Sequence, residues 1–145
     1  MIRLTDATPG DASALAAILR EWIDATDWLP KIHMPDEDEG FLRHLIATRI
    51  VRVAREGGRP LGFLARHGGE VEALYIASGQ RGRGIGAALV DEAKAQGHLG
   101  LWTFQANSRA IAFYRRLGFT ELERTDGTGN EERLPDLRLD WRAAP

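Results

Sequence analysis

Apolar residues recur along the chain with two different spacings, and the changes between them mark the predicted secondary structure. Helical spacing of three and four residues follows Asp11 and Pro35 and covers 84–96 and 107–117. Strand-like segments bounded by turn residues lie at 2–5, 50–55, 61–67, 70–77, 99–104, 119–125 and 137–141. The predicted order of elements is therefore β, α, α, β, β, β, α, β, α, β, β.

The first two predicted helices carry recognisable signals at their starts. Asp11 is expected to cap the first helix, whose apolar side includes Trp22. Pro35 suits the first turn of the second helix, where the acidic residues 36–39 would lie at the positive end of the helix dipole. The buried face of the second helix is predicted to consist of Phe41, Leu42, Leu45 and Ile46.

Short glycine-containing connections at 56–60 and 68–69 indicate that three central strands form an antiparallel meander. A mostly antiparallel sheet with one strand–helix–strand crossover in the middle satisfies the whole order of elements. No internal repeat and no linker-like stretch interrupts the chain, so we expect a single domain over residues 1–145.

Composition excludes several classes of function. Hydrophobic residues make up 43% and charged residues 28% of the 145 positions, a balance typical of a globular domain. The net charge of −2 argues against nucleic acid or an anionic membrane as a partner. Cysteine is absent and the four histidines show no metal-ligand spacing, so we expect no disulfide, no cysteine nucleophile and no metal site. With no signal-peptide pattern and no membrane-spanning run, we expect a cytoplasmic protein.

A glycine-rich turn lies between a predicted strand and a predicted helix. It reads Arg81-Gly82-Arg83-Gly84-Ile85-Gly86. Free backbone amides at such a turn, added to the helix dipole, form a site for a pyrophosphate. The alternative is a turn that needs positive φ and close helix packing, with no ligand at all.

Two other phosphate motifs fit this turn poorly. Gly82, Gly84 and Ala87 formally match the dinucleotide pattern G-x-G-x-x-A, but residues 78–81 separate them from the strand. The next strand also lacks an acidic residue at its end, where that fold binds the ribose. A Walker A loop is excluded because no Gly-Lys-Ser/Thr sequence occurs.

Two segments together resemble a known family. Leu74-Tyr75-Ile76 followed by residues 80–89 resembles the acetyl-CoA signature R/Q-x-x-G-x-G/A of the GNAT N-acetyltransferase superfamily. Residues 107–119 resemble the second signature of that family, N-x-x-A-x-x-x-Y-x-x-x-G-F. The resemblance implies an α+β fold with a mixed, mostly antiparallel sheet of six or seven strands, splayed at its centre and flanked by about four helices.

The same resemblance implies an enzyme that transfers an acetyl group from acetyl-CoA to an amine, with the pantetheine arm in the splayed gap. The residues that it assigns to acetyl-CoA binding are Leu74, Tyr75, Ile76, Arg81, Gly82, Arg83, Gly84, Ile85, Gly86, Ala87, Asn107 and Tyr114. Tyr114 is the position that protonates the departing thiolate in this family. Spacing alone would favour a core aromatic at Tyr114, and Asn107 could equally be a simple helix cap.

The base that accepts the proton of the amine is left open by the sequence. Glu70 and Glu72 lie on the strand that leads to the acetyl-CoA site and share one face by period two. The family often places a glutamate base on this strand, and either residue fits, although both also suit a solvated sheet face. An amine with a lowered pKa would need no base.

Two irregular segments are candidates for binding the acceptor amine. The residues concerned are Trp28, His33, Asp126, Glu131 and Glu132. Residues 126–133 form a connection that is long for two paired strands. Loops of this length often bind a ligand, although a solvated polar loop without a function fits as well. Their carboxylates would favour a cationic amine.

We therefore expect a small amine as the acceptor, with two alternatives: a protein lysine or N-terminus, or a sensor that binds CoA without turnover. A pocket sealed by residues 126–133 would exclude a protein acceptor. The resemblance also makes a homodimer one assembly to test.

Overall fold

The computed structural model describes all residues from 1 to 145, and they form one seven-stranded sheet with helices on both faces. The strands are β1 (Ile2–Asp6), β2 (Ile50–Glu56), β3 (Arg59–His67), β4 (Glu70–Ile76), β5 (His98–Phe104), β6 (Thr120–Thr125) and β7 (Asp136–Arg142). The α-helices are α1 (Ala12–Asp24), α2 (Pro35–Thr48), α3 (Ile85–Ala93) and α4 (Ser108–Arg116). The predicted order of elements and the predicted fold class are confirmed.

The sheet is split at its centre. Its strand order is β1-β2-β3-β4-β5-β7-β6, and every neighbouring pair is antiparallel except β4 and β5. β4 and β5 pair only where Glu70 faces Gly100, next to a bond from the Gly100 amide to the Gly69 carbonyl of 2.8 Å. Beyond that point the two strands diverge, so a gap opens towards Ile76 and Phe104. This gap is the predicted splay.

Each face of the sheet has its own hydrophobic core. One core packs α1 and α2 on β2, β3 and β4, with Leu15, Leu42 and Phe63 almost fully buried. The other packs α3 and α4 on the opposite face, where Leu89 and Tyr114 are buried. The central gap thus lies between two packed layers, and both layers contribute to its walls.

A bulge in β4 changes which side chains face which layer. Ala65 pairs with Ala73 and Arg66 pairs with Val71, so Glu72 is an extra residue in this strand. Val71 therefore packs with the α3 and α4 layer, while Tyr75 packs with the α1 and α2 layer. Strict alternation would have put Val71 and Tyr75 on one face. The bulge thus turns Tyr75 towards α1.

The structure corrects two predictions about the first helices. The Asp11 carboxylate makes no cap bond to α1 and instead accepts hydrogen bonds from the Arg55 guanidinium, at 2.9 and 2.6 Å. Phe41 of α2 is 48% exposed, whereas Asp38 of α2 is buried. Asp38 lies inside because Arg20 of α1 faces it, with Nε to Oδ2 at 2.7 Å and Nη2 to Oδ1 at 3.0 Å. Two apolar members of the predicted face, Leu42 and Leu45, are buried as expected; Ile46 is only partly buried.

None of the helices is long and apolar enough to cross a bilayer.

Candidate active site

A cleft of about 1270 Å³ occupies the gap between β4 and β5. Its walls come from both strands, from α3 and α4 on one side of the sheet, and from the end of α1 on the other. Residues from both layers line it, including Trp22, Glu72, Tyr75, Arg81, Gly84, Trp102, Phe104, Asn107, Arg109, Tyr114, Arg116, Asn130 and Asp136. The cleft is therefore bordered by both layers of the molecule.

The glycine-rich turn borders this cleft and leaves a run of backbone donors free. Gly82 and Gly84 have φ of 81° and 77°, and no atom lies within 4 Å of the place where a Cβ would stand at either residue. Within the protein, none of the seven amides of residues 81–87 donates a hydrogen bond, and the first amide of the helix to do so is that of Ala88, to the Gly84 carbonyl at 3.0 Å. Seven free amides at a helix start form a site for an anion.

The side chains of the turn divide into two groups. Arg83 turns away from the cleft and binds Glu56 at 2.9 and 3.2 Å, which holds the pKa of the Glu56 carboxyl below its usual range. Gly86 lies against Phe113, where a Cβ would stand 3.1 Å from the ring, so a larger residue would crowd it. Arg81 lines the cleft and has no hydrogen-bonding or ionic partner in the protein. Of the two arginines, Arg81 is thus free to meet a ligand, and Arg83 holds the turn.

Tyr114 is at once a core residue and a cleft residue. Its ring is buried and packs edge-on against Phe113 and Phe119, with centroid distances of 5.0 and 5.2 Å. Its hydroxyl has no partner in the protein, and the residue lines the cleft. Burial raises the pKa of Tyr114 far above its usual value, and Tyr75 raises it further. The phenol therefore keeps its proton at neutral pH.

Asn107 is placed for both of its predicted roles, as a helix cap and as a residue of the ligand site. Its side-chain oxygen accepts a hydrogen bond from the Ala110 amide at 3.2 Å and so caps α4. The same residue lines the cleft. The remaining predicted contacts of β4, Leu74 and Ile76, line the cleft too and pack with the α3 and α4 layer.

The two glutamates of β4 are not brought together at one site. Glu70 lies where β4 and β5 still pair, outside the cleft, and both its carboxylate oxygens accept hydrogen bonds from Arg138 at 2.7 Å. Glu72 lines the cleft but forms an ion pair with Arg49. Each carboxylate thus has a cationic partner within the protein.

An aromatic row crosses the open end of the gap. Tyr75 of β4 contacts Trp22 of α1 with ring centroids 5.2 Å apart, and Trp22 contacts Trp28 at 6.2 Å. Trp28 in turn packs against Phe104 of β5 at 5.7 Å. The α1–α2 loop therefore links the two halves of the sheet on this face.

A second contact joins the two irregular segments that were predicted from the sequence to bind the acceptor. His33 contacts Glu37 through Nδ1 at 3.1 Å and Glu131 through Nε2 at 2.8 Å. Glu37 and then Glu131 raise the pKa of the His33 imidazole. Asp126 instead shapes its own loop, since its carboxylate accepts hydrogen bonds from the amide and hydroxyl of Thr128 at 3.0 and 2.9 Å. Glu132 is half-buried and has no hydrogen-bonding or ionic partner in the protein.

Sequence reasoning missed many residues of the cleft, among them Trp22, Phe104, Arg109 and Arg116. Helical spacing placed Trp22 in the core, and nothing in the sequence distinguished the two arginines of α4 from solvated ones. Both arginines lack a partner in the protein. Only the divergence of β4 from β5 brings these residues to a common cleft.

Comparison with known proteins gives consistent results. Residues 47–121 match the acetyltransferase (GNAT) domain family. The peptidyl-lysine N-acetyltransferase YjaB of Salmonella typhimurium LT2 is 30% identical over 142 residues, which cover 96% of this chain and 97% of the relative. The peptidyl-lysine N-acetyltransferase YiaC of Escherichia coli K12 is 30% identical over 141 residues, covering 89% of this chain and 91% of YiaC.

Solved structures share the same architecture. The solution structure of apo-form YjaB from Escherichia coli superposes with a TM-score of 0.81 at 28% identity and covers 99% of both chains. The structure of yncA from Salmonella typhimurium with its cofactor acetyl-CoA gives a TM-score of 0.74 at 21% identity, over 100% of this chain and 98% of the other. The second likeness concerns the fold alone.

Proposed function

The chain belongs to the GNAT acetyltransferase family and is an N-acetyltransferase that uses acetyl-CoA, and from this we propose that it moves the acetyl group directly to a primary amine with Tyr114 as general acid. The observation that supports this most strongly is the run of seven free amides at residues 81–87, which opens onto the same cleft as the buried Tyr114 phenol. An anion site and a proton donor are thus held on one rigid scaffold.

The residues of the cleft suit acetyl-CoA. The amides of residues 81–87 and the free guanidinium of Arg81 would hold its pyrophosphate. Beyond Glu70, the edge of β4 that faces β5 has no partner strand, so the backbone of Leu74, Tyr75 and Ile76 is free to hold the extended pantetheine arm. Bound acetyl-CoA supplies the thioester that reacts. An amide of β4 aimed at the thioester oxygen would lower the barrier by about 3 kcal/mol.

Tyr114 has the properties that a general acid for a thiolate requires. Its hydroxyl is unpartnered and faces the cleft, and its raised pKa keeps it protonated over the physiological range. A phenol of this kind gives up its proton only to a strongly basic group such as a departing thiolate. Tyr114 would therefore act late, as the carbon–sulfur bond breaks.

We infer that a lysine side chain is the acceptor that the observations favour. Two relatives that match this chain along nearly their whole length are named peptidyl-lysine N-acetyltransferases. In addition, the cleft reaches the surface at Trp102, which is 44% exposed, so a protein segment has access. A free small amine is the second candidate, because the His33–Glu131 contact and the aromatic row narrow the cleft on this same face of the sheet.

The experiment is a screen of CoA release, followed with a thiol reagent, in which acetyl-CoA is mixed with lysine-containing peptides or with a library of small primary amines. We expect release with lysine peptides, and a much higher kcat/KM for these than for free lysine. Faster turnover of a small amine would replace the peptide acceptor with the second candidate. Tight acetyl-CoA binding with no release in either set would contradict the proposed function.

A further inference from the structure

The acetyl-CoA turn, residues 81–87, depends on its flanks for its shape. None of its seven amides donates a hydrogen bond within the protein. The Arg83 side chain ties the turn down by donating to Gln80 at 2.6 Å and to Glu56 at 2.9 and 3.2 Å. Free amides bind an anion tightly only when they are held in place beforehand, because ordering them on binding costs affinity.

The segment that leads into the turn, Ser78–Gln80, is held by a residue of α1. Glu21 accepts two hydrogen bonds from Ser78: Oε1 from the backbone amide at 2.7 Å, and Oε2 from the hydroxyl at 3.0 Å. The Gln80 amide closes the segment on the Ala77 carbonyl at 2.9 Å. Since Gln80 also binds Arg83, one short chain of contacts joins the carboxylate of Glu21 to the acetyl-CoA turn.

The stability of α1 does not explain a carboxylate at position 21. Glu21 lies in the last turn of this helix, which ends at Asp24. A negative charge there faces the negative end of the helix dipole and disfavours the helix. Glu21 is exposed and has no cationic partner, so no ion pair accounts for it either. The two bonds to Ser78 are the interactions that a carboxylate at this position makes.

The same turn of α1 also borders the part of the cleft beside the predicted acceptor residues. Trp22 lines the cleft, and its ring lies 5.2 Å from that of Tyr75 and 6.2 Å from that of Trp28. Successive residues of a helix point about 100° apart, so Glu21 and Trp22 make separate contacts. A change confined to Glu21 therefore alters the flank of the acetyl-CoA turn and leaves the aromatic row in place.

We propose that Glu21 is a positioning residue for acetyl-CoA: by holding Ser78, it fixes the start of the acetyl-CoA turn in the form that binds the pyrophosphate. This inference rests on the proposed function and deepens it, because it adds a residue outside the cleft to those that determine donor binding. Glu21 acts only through Ser78 and the backbone that follows. It therefore sets the affinity for acetyl-CoA and does not take part in the chemical step.

The test compares Glu21→Ala, which removes both hydrogen bonds, with Glu21→Gln, whose side-chain amide can still accept from the Ser78 amide and donate to the Ser78 hydroxyl. The Kd for acetyl-CoA, measured by calorimetry, should rise about fivefold in Glu21→Ala and stay close to the wild-type value in Glu21→Gln. Ser78→Ala should give a smaller rise, because only the hydroxyl contact is lost. Added to Glu21→Ala, Ser78→Ala should have no further effect, since the hydroxyl acts through Glu21.

Asp24→Asn is the matched control. Asp24 lies in the same turn of α1, is exposed, and pairs with Arg20 and with Lys31, each at 3.6 Å. Asp24→Asn and Glu21→Ala both remove a negative charge from the end of the helix, so their effects through the helix dipole are alike. Only Glu21→Ala should change the Kd for acetyl-CoA.

Steady-state kinetics separates positioning from a general loosening of α1. With the acceptor that is turned over fastest in the screen, Glu21→Ala should raise the KM for acetyl-CoA about fivefold, while kcat and the KM for the acceptor stay close to the wild-type values. Loosening of α1 would displace Trp22 as well and would raise the KM for the acceptor in parallel.

The outcomes separate this role from the function on which it rests. Calorimetry needs no turnover, so a wild type that binds acetyl-CoA but releases no CoA with any amine would contradict the proposed function, and the Kd values would still decide the role of Glu21. An unchanged Kd in Glu21→Ala would overturn the positioning role. Equal weakening in Asp24→Asn, or a parallel rise in the KM for the acceptor, would overturn it too.

Discussion

At the scale of single residues, the cleft depends on side chains that are buried in the protein but keep one polar atom free. The ring of Tyr114 is buried and that of Tyr75 is half-buried, and neither hydroxyl has a partner in the protein. Their pKa values are raised mainly because burial disfavours the charged phenolate. Both phenols therefore stay protonated at neutral pH and can donate a proton.

The residue-scale prediction for Tyr114 concerns the leaving group. Tyr114→Phe removes the proton donor but keeps the ring that packs on Phe113 and Phe119, so kcat should fall roughly a hundredfold. The Kd for acetyl-CoA, measured by calorimetry, should change little. Equal losses in kcat and in acetyl-CoA affinity would contradict the acid role and make Tyr114 a binding residue.

His33 gives a residue-scale prediction about pH. Its pKa is raised by Glu37 and by Glu131, so the protonated imidazole is the form that the folded protein favours. The stabilising contribution of this contact is complete below the unfolded pKa of about 6.5 and is lost as the pH rises through the higher folded value. An NMR titration should show His33 titrating above its ordinary value, and Glu131→Gln should lower that pKa. A wild-type value at or below the ordinary one would contradict the prediction.

Some of these residues were identified from the sequence and others were beyond its reach. Asn107 and Tyr114 were identified through the family resemblance, which a sequence can carry because a helix cap and the residue two turns later lie on one short helix. The partner of Glu70 is Arg138, 68 residues further along the chain, and no local pattern pairs them. The partners of Arg83 and Glu72 are likewise remote in sequence. The sequence therefore does not show which charged side chains lack an ionic partner, because that depends on how the strands pair.

At the scale of elements, the connection between β4 and α3 is the part that local sequence determines most fully. Gly82 and Gly84 adopt left-handed φ values, and α3 begins directly afterwards. The bulge in β4 has no such signal in the sequence, because glutamate also occurs in ordinary strands. Glu72 becomes the bulge residue only through the pairing of Val71 and Ala73 with β3. The sequence pattern therefore predicted the strand but not the side of the sheet on which Tyr75 lies.

The element-scale prediction concerns this turn. Gly84→Ala places a Cβ on a residue with φ of 77°, which costs about 1–2 kcal/mol, so we expect the turn to shift and acetyl-CoA to bind about tenfold more weakly. Gly79→Ala is the matched control, since Gly79 has equally open surroundings and no positive φ. Calorimetric titration of both variants with acetyl-CoA checks this. Equal weakening by the two variants would contradict the prediction.

At the scale of the whole molecule, the sheet consists of two halves that are paired at one point. β4 and β5 meet only at Glu70 and Gly100, and the Glu70–Arg138 ion pair joins the halves beside that point. The order of elements predicted such a sheet, since an α3 crossover requires one parallel pair. The aromatic row through Trp28 and the His33–Glu131 contact were not predicted, because they depend on how two loops meet across the gap.

The whole-molecule prediction concerns that junction. Glu70→Gln removes a doubly hydrogen-bonded, partly exposed ion pair, so the free energy of unfolding should fall by about 1 kcal/mol. Glu39→Gln, which breaks the exposed pair with Arg43 on α2, is the matched control and should change it by less than about 0.5 kcal/mol. Urea unfolding measures both. A loss of kcat in Glu70→Gln at full folding would instead restore Glu70 as a candidate base.

The gap between β4 and β5 also has a consequence for the order of events during turnover. Because residues of both layers line it, a ligand held against the α3 and α4 side leaves the walls on the α1 side free for a second one. Such an arrangement allows both reactants to be present at once, and either product can depart first.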